Sequence, residues 1–492
     1  MKNWNNPENE SILHYISGCI KIYTCSLFSL FDNRLYFCYL RKTPPKEAFD
    51  PMKQFYGPKD FWEVKQKGNL KFNDALKPND KRYVNLNEAR GQDVYNRLLK
   101  PLGFDNKLNP RMIDNKENYY ILFCGHRGCG KSTELNCISE KLHRFDGYFV
   151  VRCNIVEDLD INNIEYVDIL FLVAQKIVEN LENTGISIDK KYIEDMNNFF
   201  TERIITHVKE KGFNASFTAG AKAEIGFLAK LFAEFTTAFK TNSTYRDEVR
   251  NLVKNQFSIF KTAFNRMLAE INLKLEENNK GKSLLVTVDG TDKLSREDCD
   301  HIFIDHAAQL TQLETNFIYV VPIHMVYESN HIKNFYENPF VLPNVILNDK
   351  EGKPVPLGMD AIKDLVYRRI HPDLFDSEKT VEYIINMSGG HIRELIHILQ
   401  EAFNASDTEK FDIESVKKGI KQLEADYMRF LKTDDYKRLA KLEKDEDNES
   451  DDIMKNLLFN SVVLEYDDYW RRINPIIKES DEFKRFLKAN EA

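Results

Sequence analysis

The chain has 492 residues, of which 42% are hydrophobic, 12% aromatic and 30% charged, enough apolar material for a sizeable core and too much for a disordered or collagen-like chain. At roughly 100 to 200 residues per domain, about three or four domains are expected. Lys plus Arg number 69 against 77 Asp plus Glu, so the net charge of −8 excludes a general attraction to phosphate backbones or anionic lipid, and any nucleic-acid contact has to come from a local patch.

Residues 1–51 are crowded with Cys, Phe and Tyr, and Met52 opens a more ordinary sequence, as a start codon assigned too far upstream would produce. Residues 11–31 are the one stretch there long enough to suggest a membrane or targeting segment, but Lys21 divides it, so no membrane span is expected. The eight cysteines show no paired CxxC or Cys/His spacing of a zinc site and fit a reducing cytoplasm. Residues 52–88, polar and marked by Gly57-Pro58 and Lys77-Pro78, read as an irregular arm lying on a domain, with Trp62 a core anchor.

Helical spacing over residues 87–102, through Ala89, Val94, Leu98 and Leu99, leads to a buried strand at 119–124. Further strands are expected at 148–153, 283–288 and 317–321, with 345–347 a candidate fifth. Helical periodicity at 167–181 and 246–275 alternates with them, which predicts an α/β fold with a mostly parallel sheet and a helical insertion over about 155–280. Within it, residues 213–239 are rich in Ala, Gly and Phe but are broken by Lys222, Glu224, Lys230 and Glu234, and read as a packed helical hairpin. Helices at 358–369 and 381–403 form a lid over 351–408, followed by a helix at 411–431 and an acidic solvated loop at 443–452. A helix at 453–460, a hairpin of 462–466 and 469–473 around Asp467-Asp468 with Trp470 as its anchor, and a closing helix at 475–487 suggest a winged-helix-like module over 409–492. The expected division is therefore 1–86, 87–350, 351–408 and 409–492.

The strongest local signal is Gly125-His126-Arg127-Gly128-Cys129-Gly130-Lys131-Ser132-Thr133, a full G-x-x-x-x-G-K-S between a buried strand and a helix. Glycines let the backbone wrap phosphates, and its N–H groups and the helix amino end supply fixed positive dipoles. This is a P-loop: Lys131 is expected to reach the β- and γ-phosphates, Ser132 to ligate Mg²⁺, and Thr133 to lie nearer the α-phosphate. His126 has no partner spacing for a metal. Asp289, at the end of the apolar run Leu284-Leu285-Val286-Thr287-Val288, is the expected second holder of the Mg²⁺ shell. Asp292 either orients and deprotonates an attacking water or caps the helix that follows.

A strand ending Asp289-Gly290-Thr291-Asp292 resembles the Walker B of STAND signalling ATPases and their relatives among the AAA+ and origin-recognition-type ATPases, in which an acid follows three positions after the magnesium Asp. Ring-type motors of that group carry Glu beside that Asp, and Gly290 here departs from them. Gly389-Gly390-His391-Ile392-Arg393 is similar to the element that opens a lid helix in the same group, whose Arg, here Arg393, is the sensor-2 residue facing the γ-phosphate. Arg368 and Arg369 are alternative lid arginines, and a surface charge is the plainer reading of Arg393. His324, after the fourth strand, stands nearest the sensor-1 position, though a structural histidine is the more common occupant.

The resemblance implies an ATP- and Mg²⁺-dependent switch that hydrolyses slowly and acts on a separate effector or sensor protein, in systems often associated with phage defence; a homo-oligomer is compatible with it. The alternative is a DNA-handling ATPase acting through the C-terminal module, disfavoured because acids outnumber bases in 411–492 and the basic stretch at Arg471-Arg472 is short.

Overall fold

Five strands hydrogen-bond in the order β2-β3-β4-β1-β5, every neighbouring pair parallel. The computed structural model describes residues 55–490 apart from 73–74, 92–93, 106, 112, 114–116, 212–224, 338 and 446–448, so residues 1–54 and the 213–224 part of the expected 213–239 hairpin lie outside the described residues.

In chain order, α1 (Phe61–Gln66) interrupts the arm, and β1 (Tyr120–Cys124), α2 (Lys131–Leu142) and β2 (Tyr148–Asn154) follow. The insertion contributes α3 (Tyr166–Thr184), α4 (Ile225–Thr241), α5 (Ser243–Asn255) and α6 (Phe257–Glu277) before β3 (Ser283–Asp289), β4 (Asn316–Val320) and β5 (Phe340–Val341). The lid is α7 (Pro356–Tyr367), α8 (Glu378–Ser388) and α9 (Ile392–Ala405), joined by α10 (Ile413–Met428). The C-terminal part is α11 (Thr433–Glu443), α12 (Asp452–Phe459), an antiparallel hairpin of β6 (Val463–Glu465) and β7 (Arg471–Ile473), and α13 (Asp481–Asn490).

Strands covered on both faces read as continuous apolar runs, and here alternate residues feed two cores. Leu122, Val151, Leu284 and Val286 face the insertion helices, with Phe171, Phe200, Phe232 and Phe260 among the aromatic packing there. Ile121, Phe123, Val150 and Leu285 face α2 and the segment around Leu98 and Leu99. A third core joins α7–α10 to the arm, where the Phe61 ring stacks on Phe403 at 4.3 Å. A fourth holds α11, α12, the hairpin and α13 together with Ile323.

Several boundaries differ from the sequence expectation. Residues 345–347 are extended but join no strand: Val345 N–H donates to Gly390, Ile346 to Ala89, and Leu347 accepts from Val355, so this apolar stretch ties lid and arm to the domain. The fifth strand is β5, on the outer side of β1. The 87–102 helix is two single turns, Asn87–Arg90 and Asn96–Leu99, parted at Gly91 with φ +145°. The 246–275 helix breaks at Gln256, the 381–403 helix at Gly389 and Gly390, and the closing helix between Pro475–Lys478 and α13. Three-residue hairpin strands beside helices match the expected element order at the C-terminus, and nothing further identifies a winged helix.

Candidate functional site

The chain leaves β1 at Cys124 and reaches α2 through Gly130, which takes the left-handed conformation at φ +103° as the residue before the first helical turn. A glycine is required at Gly128 for a second reason: a Cβ there would stand 2.3 Å from the Cβ of Arg393. The lid therefore touches the loop itself, and the Arg393 backbone N–H donates to the Gly128 carbonyl at 3.1 Å.

Lys131 is buried, and its ammonium is fully engaged: 2.8 Å from Asp292 Oδ2, 2.7 Å from the His126 carbonyl and 3.0 Å from that of Gly125. Burial works against the charged lysine, but Asp292 outweighs it and raises the Lys131 pKa. Burial likewise acts to raise the Asp292 carboxyl, and Lys131, by charge and hydrogen bond, holds it below the usual range instead. The following helix is capped by Ser295, whose side chain accepts from Asp298 N, so the capping alternative for Asp292 is set aside.

Ser132 Oγ donates to Asp289 Oδ1 at 2.9 Å, and the same oxygen accepts from the Gly290 N–H at 2.7 Å. Asp289 ends β3, which is not a direct neighbour of β1, because β4 stands between them. Burial, then the neighbouring Asp292 charge, pushes the Asp289 carboxyl up. A hydroxyl and a carboxylate converging at the end of a phosphate loop suit a hard cation that keeps most of its waters, which is the way Mg²⁺ is held.

Around these groups lies a cavity of about 650 Å³, in the range of nucleotide and other small-ligand sites. Its floor is the loop with Asp289 and Asp292; arm residues Leu76, Tyr83 and Val84 form one wall, and lid residues Leu365, Ile392 and Arg393 another. Thr133 Oγ1 accepts from the Leu76 N–H at 3.0 Å, fixing the arm over the start of α2. Arg393 lines the cavity with its Nε unpartnered and its guanidinium 5.8 Å from the Phe72 ring. Arg369 lines it too, but is buried and donates to the Arg82 and Leu365 carbonyls, while Arg368 pairs with Asp364 and the arm carbonyls of Lys81 and Tyr83. Both hold arm to lid.

No family model and no curated protein matches the chain. Among solved structures it is similar to the Walker-type ATPase PABY2304 of Pyrococcus abyssi, at 12% identity and a TM-score of 0.38, over 82% of this chain and 98% of that one.

Two loop residues point away from the cavity. His126 is fully buried; its Nδ1 faces the Leu458 carbonyl at 3.1 Å and its Nε2 accepts from the Glu465 N–H at 2.9 Å, which sets the neutral tautomer with the proton on Nδ1. Burial, then Lys131, lowers its pKa to about 3. The Arg127 guanidinium lies 4.3 Å from the Phe459 ring and donates to the carbonyls of Asp292 and Leu294. Cys129 is buried in the core beneath the loop.

His324 does not line the cavity. Its ring is buried against Phe459, with Nε2 3.0 Å from Asp300, so the sensor-1 expectation is corrected: the short helix after β4 turns it toward α12. The hairpin arginines are engaged internally, Arg471 over Tyr327 and Arg472 over Trp470 with its guanidinium on the Asp349 and Lys350 carbonyls. Trp62 is half exposed, its indole N–H on Glu409. Among the described residues no group of three metal-ligating side chains occurs, and no helix is long and apolar enough to cross a membrane.

Sequence reasoning missed Arg90. It is fully buried and donates from Nη2 to the Cys129 carbonyl at 2.7 Å and from Nη1 to that of Pro343, bracing the loop from beneath. It also missed Glu134, which accepts from Tyr95 and Tyr83 and ties α2 to the arm. Neither lies in a motif, and the polar neighbours of Arg90, Asn87, Glu88, Gln92 and Asp93, give no sign in the sequence that it is buried.

Proposed function

We propose that the chain is an ATP-binding, slowly hydrolysing switch of the STAND/AAA+ kind that regulates a separate effector or sensor protein, in the phage-defence setting its sequence resemblance suggests. The observation that carries the reading is the convergence of three segments on one cavity: the P-loop, the arm held to Thr133, and the lid helix held to Gly128 through Arg393. Phosphates would sit on the loop N–H groups, and Lys131 would exchange Asp292 for a phosphate oxygen. Ser132 and Asp289 would hold Mg²⁺, which when bound neutralises phosphate charge. The apolar strip of Val84, Leu86, Leu365, Ile392 and Ile396 provides a slot for a base between arm and lid. Arg393, with an unpartnered Nε in the same cavity, is the group that would distinguish triphosphate from diphosphate.

The test is calorimetry of ATP, GTP and ADP with and without Mg²⁺, on the full chain and on Lys131→Ala and Arg393→Ala. The reading requires that Lys131→Ala lose ATP binding and that Arg393→Ala weaken ATP about tenfold or more while leaving ADP nearly unchanged, the size of a charge-assisted hydrogen bond. Equal losses for both nucleotides in Arg393→Ala would remove it from a sensing role, and unchanged ATP affinity in Lys131→Ala would reject the nucleotide site.

A further inference from the structure

A second cavity, about 340 Å³, opens between α9 and α10 on the lid, lined by Phe72, Glu394, Glu401, Asp426, Tyr427 and Phe430 among others. Three carboxyl groups and three aromatic rings around one space are the two elements that bind an organic cation, by charge pairing and by cation–π attraction. The decisive group is Glu394, 4% exposed, whose Oε2 is buried without a hydrogen-bond partner although the Tyr427 hydroxyl stands near the carboxyl group. A buried carboxylate oxygen with no donor is unfavourable by itself and calls for one. The rim offers a second contact: Phe430 is 45% exposed at the end of α10.

We propose that this lid cavity binds an organic cation, an alkylammonium or guanidinium group, with Glu394 as its buried counter-ion and the rings of Phe72, Tyr427 and Phe430 around its stem. The proposal goes beyond the nucleotide reading and does not depend on it. Of the positive groups nearby, Arg429 pairs with Asp426 at 2.6 Å, the Arg393 guanidinium lies 5.8 Å from the Phe72 ring while lining the nucleotide cavity, and burial and then Arg393 push His397 down to about 4, leaving it neutral at pH 7. Burial holds Glu394 up to about 7, opposed by Tyr427 and Arg393. A cation entering beside it therefore drives proton release, and binding strengthens from pH 6 to pH 8. Among the other titratable groups facing the space, Glu401 adds negative charge, Asp426 is already paired with Arg429, and the Tyr427 phenol, raised by burial, stays neutral.

The experiment is calorimetric titration of the full chain with butylguanidinium and, separately, with a short arginine-bearing peptide. Butylurea and the citrulline peptide serve as neutral matches. Saturable binding of the cations, at least tenfold weaker for the neutral partners and for Glu394→Gln, is expected, with a proton released on binding at pH 7. Phe430→Ala, an exposed rim change that leaves the fold in place, should weaken binding several-fold with an unchanged unfolding midpoint. Tighter binding of the peptide than of the free guanidinium identifies a partner's side chain as the source, and equal binding a small-molecule amine. Absence of cation binding, equal binding of the neutral matches, or full affinity in Glu394→Gln overturns the proposal.

Discussion

Lys131 Nζ lies 2.8 Å from Asp292 Oδ2 in a buried ion pair, so the loop lysine is neutralised by a residue 161 positions away in sequence, on the turn after β3. Breaking one partner of a buried pair leaves the other charge uncompensated, which typically destabilises by about 3 to 5 kcal/mol. Asp292→Asn keeps the shape and one acceptor, so a loss of about 3 kcal/mol is expected for the nucleotide-free protein. Saturating ATP with Mg²⁺ should close most of that gap, because phosphate then supplies the anion. Urea unfolding with and without nucleotide checks this; an equal deficit in both conditions would show that phosphate does not take over the lysine.

His126 is the second long-range tie, joining the loop to the Leu458 carbonyl and the Glu465 amide of the C-terminal part. In His126→Ala the Glu465 N–H and Leu458 carbonyl lose a buried partner, each such orphan group costing about 1 to 3 kcal/mol. The expected result is a stability loss of about 2 to 4 kcal/mol, with the Glu465 amide exchanging hydrogen faster than its neighbours in β6. Hydrogen exchange read residue by residue on the variant tests it, and unchanged protection at Glu465 would show that another group holds the hairpin to the loop.

What the sequence made legible was local. The P-loop, β1 to β4 and Asp289 stand out because a strand buried on both faces is a run of apolar residues, and a phosphate loop needs a fixed glycine spacing. Residues 345–347 carry the same apolar signature as a strand, and only their partners, Gly390 and Ala89, show otherwise. Lys131 with Asp292, His126 with Glu465 and Arg90 with Cys129 are contacts between distant segments, which no periodicity encodes. His324 was misplaced for a related reason: a position after a strand does not say which way a short helix will turn the side chain.

Glu465 gives a pH signature. It is 1% exposed, beside the Tyr327 hydroxyl and 3.7 Å from Arg471, and burial holds its carboxyl up at about 7 against the pull of that arginine. The unfolded chain titrates it near 4.3, so between about pH 4.3 and 7 the native state holds a proton the unfolded state lacks, and stability falls as pH rises. His126, held at about 3, works in the opposite sense below about 6.5, where the unfolded imidazole takes the proton. In Glu465→Gln the first contribution disappears. The variant should therefore gain on the wild type through that window, by up to about 3 kcal/mol at pH 8. Urea unfolding of both proteins from pH 5 to 8 measures the difference, and a constant offset would place the Glu465 proton outside this range.

Turnover is the last consequence. A fast hydrolase of the kind resembled needs a carboxylate beside the magnesium Asp, but Gly290 has φ +88°, and a Cβ there would stand 2.9 Å from Val156 Cγ2 and 3.1 Å from Asn154 Oδ1. That backbone, and not only the missing side chain, denies the position to a Glu. Gly290→Glu should thus lower stability by about 1 to 3 kcal/mol, the strain of a non-glycine residue in that conformation, and should not raise the rate. Asp292 lines the cavity beside the loop, with Oδ2 on Lys131 and Oδ1 buried without a partner, and in the proposed nucleotide reading it would be released to meet water once a phosphate takes over Lys131. Hydrolysis should be slow for this reason, and Asp292→Asn should reduce it further by about 10² while ATP stays bound, the usual loss on removing a positioned base. Phosphate release per nucleotide-binding site decides the matter. A rate unchanged in Asp292→Asn would confine that residue to its ion pair with Lys131, and a faster Gly290→Glu would mean that the turn after β3 relaxes enough to seat a base where glycine now stands.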